Sequence, residues 1–414
     1  MNDNLYKNAL IVLLSLEAAR MSQLSADFLI NLCAGIFILP FFLFSATAGQ
    51  IADKYEKSGL IRWIKFFEIV VMGIAALGFY WHNLEFLLAA LFFMGLHSTL
   101  FGPVKYAYLP QHLQKNELMG GNGVVDAGTF LAILLGTIVG ASLMQWQPEG
   151  LFWVCFSGLA VALLGWGLSF AIPSTVASMP ELIVQWNPLI ATKHNLKALY
   201  AERELFLCVL GISWFWFYGA TLLTQLPMFS KQALGGKEDL LTGLLVLFSV
   251  GVGIGSLLCE RLNRVWHGYH WIVWGSVGLS VFTLDLYFAT PTVLPAVALS
   301  LEAFVRQPSS LRIGGDLLMI GLSGGVYIVP FYTFLQSRSA EQHRSRVVAG
   351  NNIMNAFLMV VAADMAVIWL KAGFSIAQLF GFIAFLNVGV LLFLFFSGMV
   401  RLLNVSVESP APKN

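Results

Sequence analysis

Long apolar runs alternate with short polar stretches along the whole chain. A helix that crosses the hydrocarbon core of a bilayer needs roughly 20 mostly apolar residues, and it satisfies its own backbone groups. Continuous apolar runs such as 388–396 contradict the alternating pattern of a membrane barrel strand. We therefore predict an all-α membrane protein. The twelve predicted spans are 4–16, 28–51, 66–81, 84–101, 118–144, 151–172, 204–228, 240–262, 271–288, 316–336, 347–370 and 374–400.

Two segments fit this pattern poorly. The first span, 4–16, is short because Glu17 and Arg20 follow it. Either the first half of that helix is missing or the helix is a partial one, and we favour the missing half. No signal-peptide pattern of a basic segment, an apolar core and a small-residue cleavage site is present. The segment 290–312 is ambiguous, since three prolines, Glu302 and two arginines interrupt it.

Composition supports a lipid environment. Of 414 residues, 58% are hydrophobic and 11% are charged, against about 25% charged in soluble proteins. The formal net charge of +1 gives no basic field for nucleic acid. The four cysteines are far apart and form no Cys-x-x-Cys pair, so we predict buried packing cysteines, no metal site and no cofactor.

Basic residues orient the predicted bundle. Sixteen Lys and Arg fall in one set of alternate loops, including Arg401 and Lys413 of the tail, and six fall in the other set. Loops that stay in the cytoplasm carry the excess of basic residues. Both termini are therefore expected in the cytoplasm, which requires an even number of spans, and twelve satisfies this condition.

A polar segment divides the spans into two sets of six. We predict an N-terminal bundle over 1–172, a cytoplasmic linker over 173–203 and a C-terminal bundle over 204–414. Within the linker, 189–200 is either a short amphipathic helix or a plain loop. The halves share local patterns: Tyr106-Ala-Tyr-Leu109 before Gly121-Asn122 matches Tyr332-Thr-Phe-Leu335 before Gly350-Asn351. Parallel six-span repeats are the architecture of the major facilitator superfamily.

The connection between spans two and three carries a more specific pattern. Its residues Gly49, Asp53, Lys54, Lys57 and Arg62 resemble the signature loop of the major facilitator superfamily. Gly49 permits close helix approach, and Asp53 is expected to bind a basic residue or a neighbouring helix N-terminus. This contact would form a conformational latch; the alternative is that the basic residues only fix topology. The usual Gly is replaced by Glu56, so the match is partial.

Ionisable residues inside spans are costly and are therefore functional candidates. Asp3 and Lys7 share a helix face and are positioned to pair. Lys105 follows Gly102-Pro103, which interrupts its helix, Asp126 lies in span five and Asp364 in span eleven. Each either lines a cavity or forms a buried structural pair. A further set near the span ends is expected at the membrane interface: Glu68, Glu85, Asp285 and Asp316.

An aromatic cavity with few charges suits an amphiphilic zwitterion. An ammonium group would bind a carboxylate and aromatic faces, a phosphate would bind Lys105, and an acyl chain would lie on apolar helix surfaces. A drug exporter would have much the same composition, so the composition leaves both substrate classes open.

Three segments resemble the bacterial lysophospholipid transporter family, which includes a transporter portion fused to 2-acylglycerophosphoethanolamine acyltransferase/acyl-carrier-protein synthetase. They are Asn2-Asp-Asn-Leu-Tyr-Lys-Asn-Ala-Leu10, Phe101-Gly-Pro-Val-Lys-Tyr106 and Asn122-Gly-x-x-Asp126-Ala. The resemblance implies that lysophosphatidylethanolamine is flipped inward across the bacterial inner membrane for re-acylation, in functional coupling with such an acyltransferase. It implies head-group contacts by Asp3 and Lys105.

Standalone members of that family place an Arg in span seven, where this chain offers only Gln225. The complete predicted substrate site is Asp3, Asn4, Lys7, Lys105, Tyr106, Asp126, Gln225 and Asp364. We expect a monomer that contacts membrane lipids and no nucleic acid.

Enzyme motifs are missing from the sequence. No His is followed by Asp five residues later, and there is no Gly-x-Ser-x-Gly or Walker loop. Gly251-x-Gly253-x-Gly255 is expected to be a helix-packing pattern. We therefore predict a transporter with no enzymatic activity. Two alternatives remain: a proton-coupled antiporter that exports a drug or metabolite, and a membrane partner that hands lysolipid to an acyltransferase without transporting it.

Overall fold

A computed structural model describes residues 1–146, 148–265, 270–293 and 297–399. Regular structure in these residues is helical apart from one isolated bridge between Gly236 and Leu299. A π-helical turn, Phe229–Ala233, and a 3₁₀ turn, Glu341–His343, accompany the α-helices. The α-helices are α1 (Asn2–Met21), α2 (Ala26–Lys54), α3 (Lys57–Tyr80), α4 (Leu84–His112), α5 (Leu118–Leu143), α6 (Gly150–Ser169), α7 (Pro188–Ala201), α8 (Arg203–Met228), α9 (Glu238–Val265), α10 (Trp271–Ala289), α11 (Leu301–Val305), α12 (Pro308–Arg338), α13 (Arg344–Lys371) and α14 (Ile376–Phe396).

Side-chain caps define several helix starts. The Ser375 hydroxyl accepts from the Gln378 N–H, and the Gln378 side chain accepts from the Ser375 N–H, which is a reciprocal capping box at the start of α14. Ser25 caps α2 by accepting from the Phe28 N–H. These contacts satisfy backbone donors that the first turn of a helix leaves without an intrahelical partner.

Ten described helices are long and apolar enough to cross a membrane. The α1 and α3 helices, which have 20 and 24 residues, are outside this group, and both carry several charged residues. The all-α membrane fold is therefore confirmed, whereas the count of twelve spans stays a prediction.

Several predicted boundaries were wrong. Span three was expected to begin at 66, but α3 begins at Lys57, and span four was expected to end at 101, but α4 continues to His112. The first helix is Asn2–Met21, so it continues past Leu16 through Glu17 and Arg20, and its 20 residues are about 30 Å long. The tenth span was expected at 316–336, but α12 already begins at Pro308. Proline is favoured in the first turn of a helix, where its missing N–H costs nothing.

The described chain forms two compact units. Unit 1 comprises Met1–His112, Ala132–Ala201 and Ser339–Ala356. Its main core joins buried residues of α1, α3, α4 and α6, with Leu5, Met72, Leu91 and Val154 among them. Gly136 and Gly140 of α5 lie directly against the backbone of α1, because glycine lets two helices approach closely.

Unit 2 comprises Leu113–Leu131, Glu202–Arg338 and Phe357–Asn414, of which 266–269, 294–296 and 400–414 are outside the described residues. Gly251 and Gly255 of α9 lie against the backbone of Leu318 and Leu322 in α12. The expected helix-packing role of this glycine pattern is therefore confirmed for these two positions. Arg401 and Lys413, which entered the topology count, lie outside the described residues.

The predicted domain boundaries at 172 and 203 stay a prediction. The compact units do not follow the chain halves strictly, since unit 1 includes Ser339–Ala356 and unit 2 includes Leu113–Leu131. The linker segment 189–200, for which helix and loop were both open, is helical within α7.

Candidate functional site

The first turn of α1 places the predicted polar residues inside unit 1. The Asp3 carboxylate accepts from the Asn4 backbone N–H at 2.9 Å and from its side-chain amide at 3.1 Å. The amino group of Met1 lies 3.3 Å from the same carboxylate. The Lys7 ammonium lies 5.3 Å from the centre of the Phe37 ring. Asp3 and Lys7 are close enough to interact electrostatically, and their pairing stays a prediction.

Lys105 and Tyr106 lie in α4, which continues through Gly102 and Pro103 without a break, so the predicted interruption of this helix was wrong. The Lys105 ammonium is 4.5 Å from the centre of the Tyr106 ring, which allows a cation–π interaction. Lys105 is half-buried and Tyr106 is buried. A half-buried cation in a membrane helix has the chemistry to bind an anionic group; the role of both residues stays a prediction.

The remaining predicted substrate residues lie in unit 2. Asp126 of α5 is buried, Gln225 of α8 is half-buried, and Asp364 of α13 is exposed. The alternative of a buried structural pair for Asp364 was therefore wrong, since its side chain is not buried and has no polar partner among the described residues.

A buried charged cluster in unit 1 was missed by the sequence analysis. The Glu68 carboxylate accepts from the Asn2 amide at 3.0 Å and from the Lys65 ammonium at 2.9 Å. The His97 imidazole lies 3.5 Å from the same carboxylate and stacks on Phe101. Glu68 is 5% exposed and lies in the middle of α3, so the expected position near a span end was wrong. The i, i+3 spacing of Lys65 and Glu68 was the one sequence signal for this pair.

The buried cluster around Glu68 leads to a prediction about the stability of the protein. Glu68→Gln removes the charge that Lys65 and Asn2 bind, and we expect unfolding to become easier by about 1–3 kcal/mol. The melting temperature of the purified protein in detergent measures this change. Glu85→Gln is the control because Glu85 is exposed; equal melting temperatures for the two variants would contradict a structural role for Glu68.

The predicted latch residue Asp53 binds the start of α13. Its carboxylate accepts from the Ser345 backbone N–H at 3.1 Å and from the Arg346 guanidinium at 3.0 Å. Asp53 is completely buried. Both kinds of partner expected from the sequence, a base and a helix N-terminus, are thus present, and the N-terminal dipole of α13 favours the carboxylate. The gating role stays a prediction.

Gly49 lies one turn before Asp53 and faces the same helix. A methyl group added there would lie 2.7 Å from the Ala349 Cβ, 2.9 Å from the Ser345 carbonyl and 3.0 Å from the Arg346 Cα. Two of these neighbours are backbone atoms, so α2 and α13 would have to move apart. Gly49 therefore permits the approach that brings Asp53 to Arg346.

A glycine comparison tests this contact. We expect Gly49→Ala to lower the stability by about 1–3 kcal/mol through overpacking. Gly35→Ala on the same helix meets nothing within 4 Å and is expected to be neutral or stabilising, since alanine favours the helix by about 1 kcal/mol. Melting temperatures in detergent measure both; a Gly49→Ala variant as stable as Gly35→Ala would contradict the close packing.

The other three latch residues have different partners. The Lys54 ammonium lies over the Tyr55 ring, and the Arg62 guanidinium lies over the Phe170 ring. The Lys57 ammonium donates to the Ser178 hydroxyl at 3.1 Å. The structure therefore brings Gly49 and Asp53 together at α13, while Lys57 binds the linker segment.

Glu56 stands where the signature loop usually has glycine, and it has a capping role. Its carboxylate accepts from the N–H groups of Ser58 and Gly59 at the start of α3, and from the Thr175 N–H of the linker. Burial would raise the pKa of the Glu56 carboxyl, but these hydrogen bonds lower it to about 2. Glu56, in place of the usual glycine, thus joins the linker segment at Thr175 to the loop between α2 and α3.

Unit 2 contains a related contact. The side-chain amides of Asn122 in α5 and Gln336 in α12 bind each other reciprocally, at 2.7 and 3.0 Å. Gly123 lies against the Ser256 carbonyl of α9, and Gly120 lies against the Glu260 side chain. The end of α9, which resembles the end of α2 in sequence, is thus packed against the start of another helix, as the end of α2 is.

Ten apolar helices, with charged side chains buried among the helices, define a multi-pass membrane protein. A family model described as the Major Facilitator Superfamily matches residues 7–363. The chain therefore belongs to the major facilitator superfamily. Among the described residues, no three His, Cys, Asp or Glu side chains lie close enough to hold a metal ion.

Curated relatives are similar to this chain over most of its length. The Lysophospholipid transporter LplT of Enterobacter sp. (strain 638) is 25% identical over 82% of this chain and 82% of its own. The protein with the same name from Klebsiella pneumoniae (strain 342) is 26% identical over 77% of this chain and 72% of its own. These relatives confirm the family resemblance seen in the sequence motifs.

Solved structures share the fold. The human organic anion transporter MFSD10 superposes with a TM-score of 0.70 at 13% identity, covering 94% of this chain and 97% of its own. The proton:xylose symporter XylE superposes with a TM-score of 0.66 at 14% identity, covering 95% and 93%. The predicted major facilitator fold is confirmed.

Proposed function

We propose that this protein transports lysophospholipids, with lysophosphatidylethanolamine as the principal substrate, across the bacterial inner membrane by alternating access between two helical bundles. The observation that carries the proposal is the similarity to relatives named lysophospholipid transporters over most of the chain. Asp3 and Lys105, which the shared motifs predict as head-group contacts, lie in unit 1 on α1 and α4.

The chemistry of these residues fits an amphiphilic zwitterion. A lysophospholipid head group carries an ammonium and a phosphate. Asp3 supplies a carboxylate that is 27% exposed, and Lys105 supplies a half-buried ammonium beside Tyr106. Apolar helix surfaces accommodate the acyl chain. We assign head-group binding to Asp3, Asn4, Lys7, Lys105 and Tyr106, and supporting contacts to Asp126, Gln225 and Asp364.

The membrane orientation, the re-acylation of the transported lipid and the monomeric state are parts of the same proposal. The excess of basic residues in one set of loops supports a cytoplasmic position for both termini. The transported lysolipid would then be re-acylated by an acyltransferase/acyl-carrier-protein synthetase, and the transporter would act as a monomer.

Binding in detergent tests substrate class. A ligand that binds only the folded state raises its stability by RT ln(1 + [L]/Kd). We expect lysophosphatidylethanolamine to raise the melting temperature of wild type, and glycerophosphoethanolamine, which lacks the acyl chain, to raise it less. The Lys105→Ala variant should show a smaller shift. Equal shifts with and without the acyl chain would contradict a lipid substrate.

The alternative function is proton-coupled export of a drug or metabolite. The buried Lys65–Glu68–His97 cluster favours it, because ionisable groups inside a membrane bundle often belong to proton pathways. Proteoliposomes with and without an imposed pH gradient discriminate between the two. Lysolipid movement that needs no gradient supports the proposal, whereas gradient-dependent efflux of an organic cation without lysolipid movement supports the antiporter.

A further inference from the structure

Three charged side chains meet in unit 2 where α10 ends and α12 begins. Asp285 lies near the end of α10, and Arg312 and Asp316 lie one turn apart near the start of α12. The Arg312 guanidinium binds the Asp285 carboxylate through two nitrogens, and its Nε donates to Oδ2 at 2.9 Å. The cluster is at the ends of two spans, on the side that the basic loops assign to the non-cytoplasmic face.

Asp316 is the buried member of this cluster. It is 5% exposed, and its Oδ2 atom has no hydrogen-bond partner among the described residues. Its carboxyl group is within hydrogen-bonding reach of the Asp285 carboxyl. Ionised carboxylates only accept hydrogen bonds, so a hydrogen bond between these two groups requires a proton on one of them.

The charges of the cluster balance only with that proton. Arg312 supplies one positive charge for two carboxyl groups, and both of its donating nitrogens bind Asp285. A buried carboxylate without a donor is costly, whereas a protonated carboxyl is neutral and donates a hydrogen bond. The Arg312 and Asp285 side chains are 53% and 37% exposed, so water reaches the pair from outside.

The neighbouring elements add no further partner to Asp316. Asp285 and Arg312 are the ionisable groups whose charges act on it. The charged residues of the other elements near these helix ends are Lys231, Lys237, Glu238, Asp239, Glu302 and Arg306. The two residues of α11 in this list bind each other, and Asp239 accepts a backbone N–H at the start of α11. The charged residues of α8 lie at its opposite end, and α14 has none.

We propose that Asp285 and Asp316 form a proton-binding site at the non-cytoplasmic ends of α10 and α12, and that the proton they share holds these two helix ends together. The proton is exchanged with water at the exposed faces of Asp285 and Arg312, and it acts as a bound ligand that does not cross the membrane. Its release leaves two carboxylates and one guanidinium, and the repulsion between the carboxylates weakens the packing of α10 on α12.

The packing of α12 connects this site to the rest of unit 2. Gly275 of α10 lies against the backbone of Ser323 and Tyr327 in α12. Near its other end, α12 carries Gln336, which binds Asn122 of α5. Because α12 is one continuous helix of 31 residues, a shift at its start also acts on these contacts. We therefore expect proton release to slow transport; this step takes the identity of the transported lipid from the proposed function.

Infrared difference spectra of the purified protein test the proton site without a substrate. Exposed aspartates are ionised throughout the range from about pH 5 to about pH 9, so a carboxyl band that changes in this range reports a shared or buried proton. We expect such a band in wild type and its loss in Asp316→Asn. Asp285→Asn should also remove it, because Arg312 is then free to bind ionised Asp316. Glu302→Gln, which removes an exposed carboxyl of α11, should retain the band.

Transport measurements test the consequence of proton release. Raising the external pH from about 5 to about 9 should slow lysophosphatidylethanolamine transport by wild type roughly fivefold or more. The rate of Asp316→Asn should stay within about twofold, because its amide donates to Asp285 as the shared proton does. Identical infrared bands in wild type and Asp316→Asn, or the same pH dependence of their transport, overturn the proposal. An Asp316-dependent band in a protein that moves no lysolipid would support the proton site and reject the proposed substrate.

Discussion

Replacing Lys105 by alanine is expected to raise the KM for lysophosphatidylethanolamine roughly tenfold to hundredfold. A hydrogen bond to a charged group contributes about 1.5–3 kcal/mol, and each 1.4 kcal/mol changes an affinity about tenfold. Lys105 is half-buried beside Tyr106, so its ammonium is partly removed from water and its loss is not replaced by solvent. Initial rates of uptake into proteoliposomes at several lysolipid concentrations measure this effect.

Two control variants test whether the effect on KM is specific to the charge of Lys105. Lys105→Arg retains the charge and should keep KM within about threefold of wild type, and Lys115→Ala removes an exposed lysine beyond the end of α4. Folded Lys105→Ala protein with an unchanged KM would remove Lys105 from the substrate site.

Asp53→Ala is expected to destabilise the contact between α2 and α13 by about 1–3 kcal/mol. The fully buried Ser345 N–H loses its acceptor, and the half-buried Arg346 loses its charged partner. The latched conformation should therefore become less populated. Ala349→Cys reports this change, because Ala349 is fully buried beneath Gly49.

The expected result is faster maleimide labelling of Ala349→Cys in the Asp53→Ala background, by at least tenfold. Asp53→Asn still offers an oxygen to the Ser345 N–H and should give an intermediate rate. Glu341→Ala, an exposed charge just before α13, should leave labelling unchanged. Identical labelling with Asp53 and with alanine at this position would mean that Asp53 is not a latch.

The apolar pattern predicted most of the helices, because the length of a membrane helix is set by bilayer thickness. It failed where polar residues lie inside a helix. Glu17 and Arg20 suggested an early end of α1, yet the helix continues to Met21. Spacing alone does not show whether a charge ends a helix or lies on its surface.

The sequence analysis also could not predict contacts between residues that are distant in sequence. Asp53 was recognised from the signature loop, but Arg346 is 293 residues away, and no spacing rule relates two positions so far apart. Glu68 and His97 belong to different helices, so their common cluster depends on helix packing. For α7 the periodicity allowed a helix, whereas its hydrogen bonds to α2 and α13 join residues that are far apart in the chain.

The central claim is that the protein itself moves lysophospholipid across a bilayer. The most direct measurement follows labelled lysophosphatidylethanolamine placed in the outer leaflet of liposomes that contain the purified protein and no ion gradient. The account predicts loss of outer-leaflet label at least tenfold faster than in protein-free liposomes, with diacyl phosphatidylethanolamine unaffected. Equal loss of lysolipid label with and without protein would contradict the account.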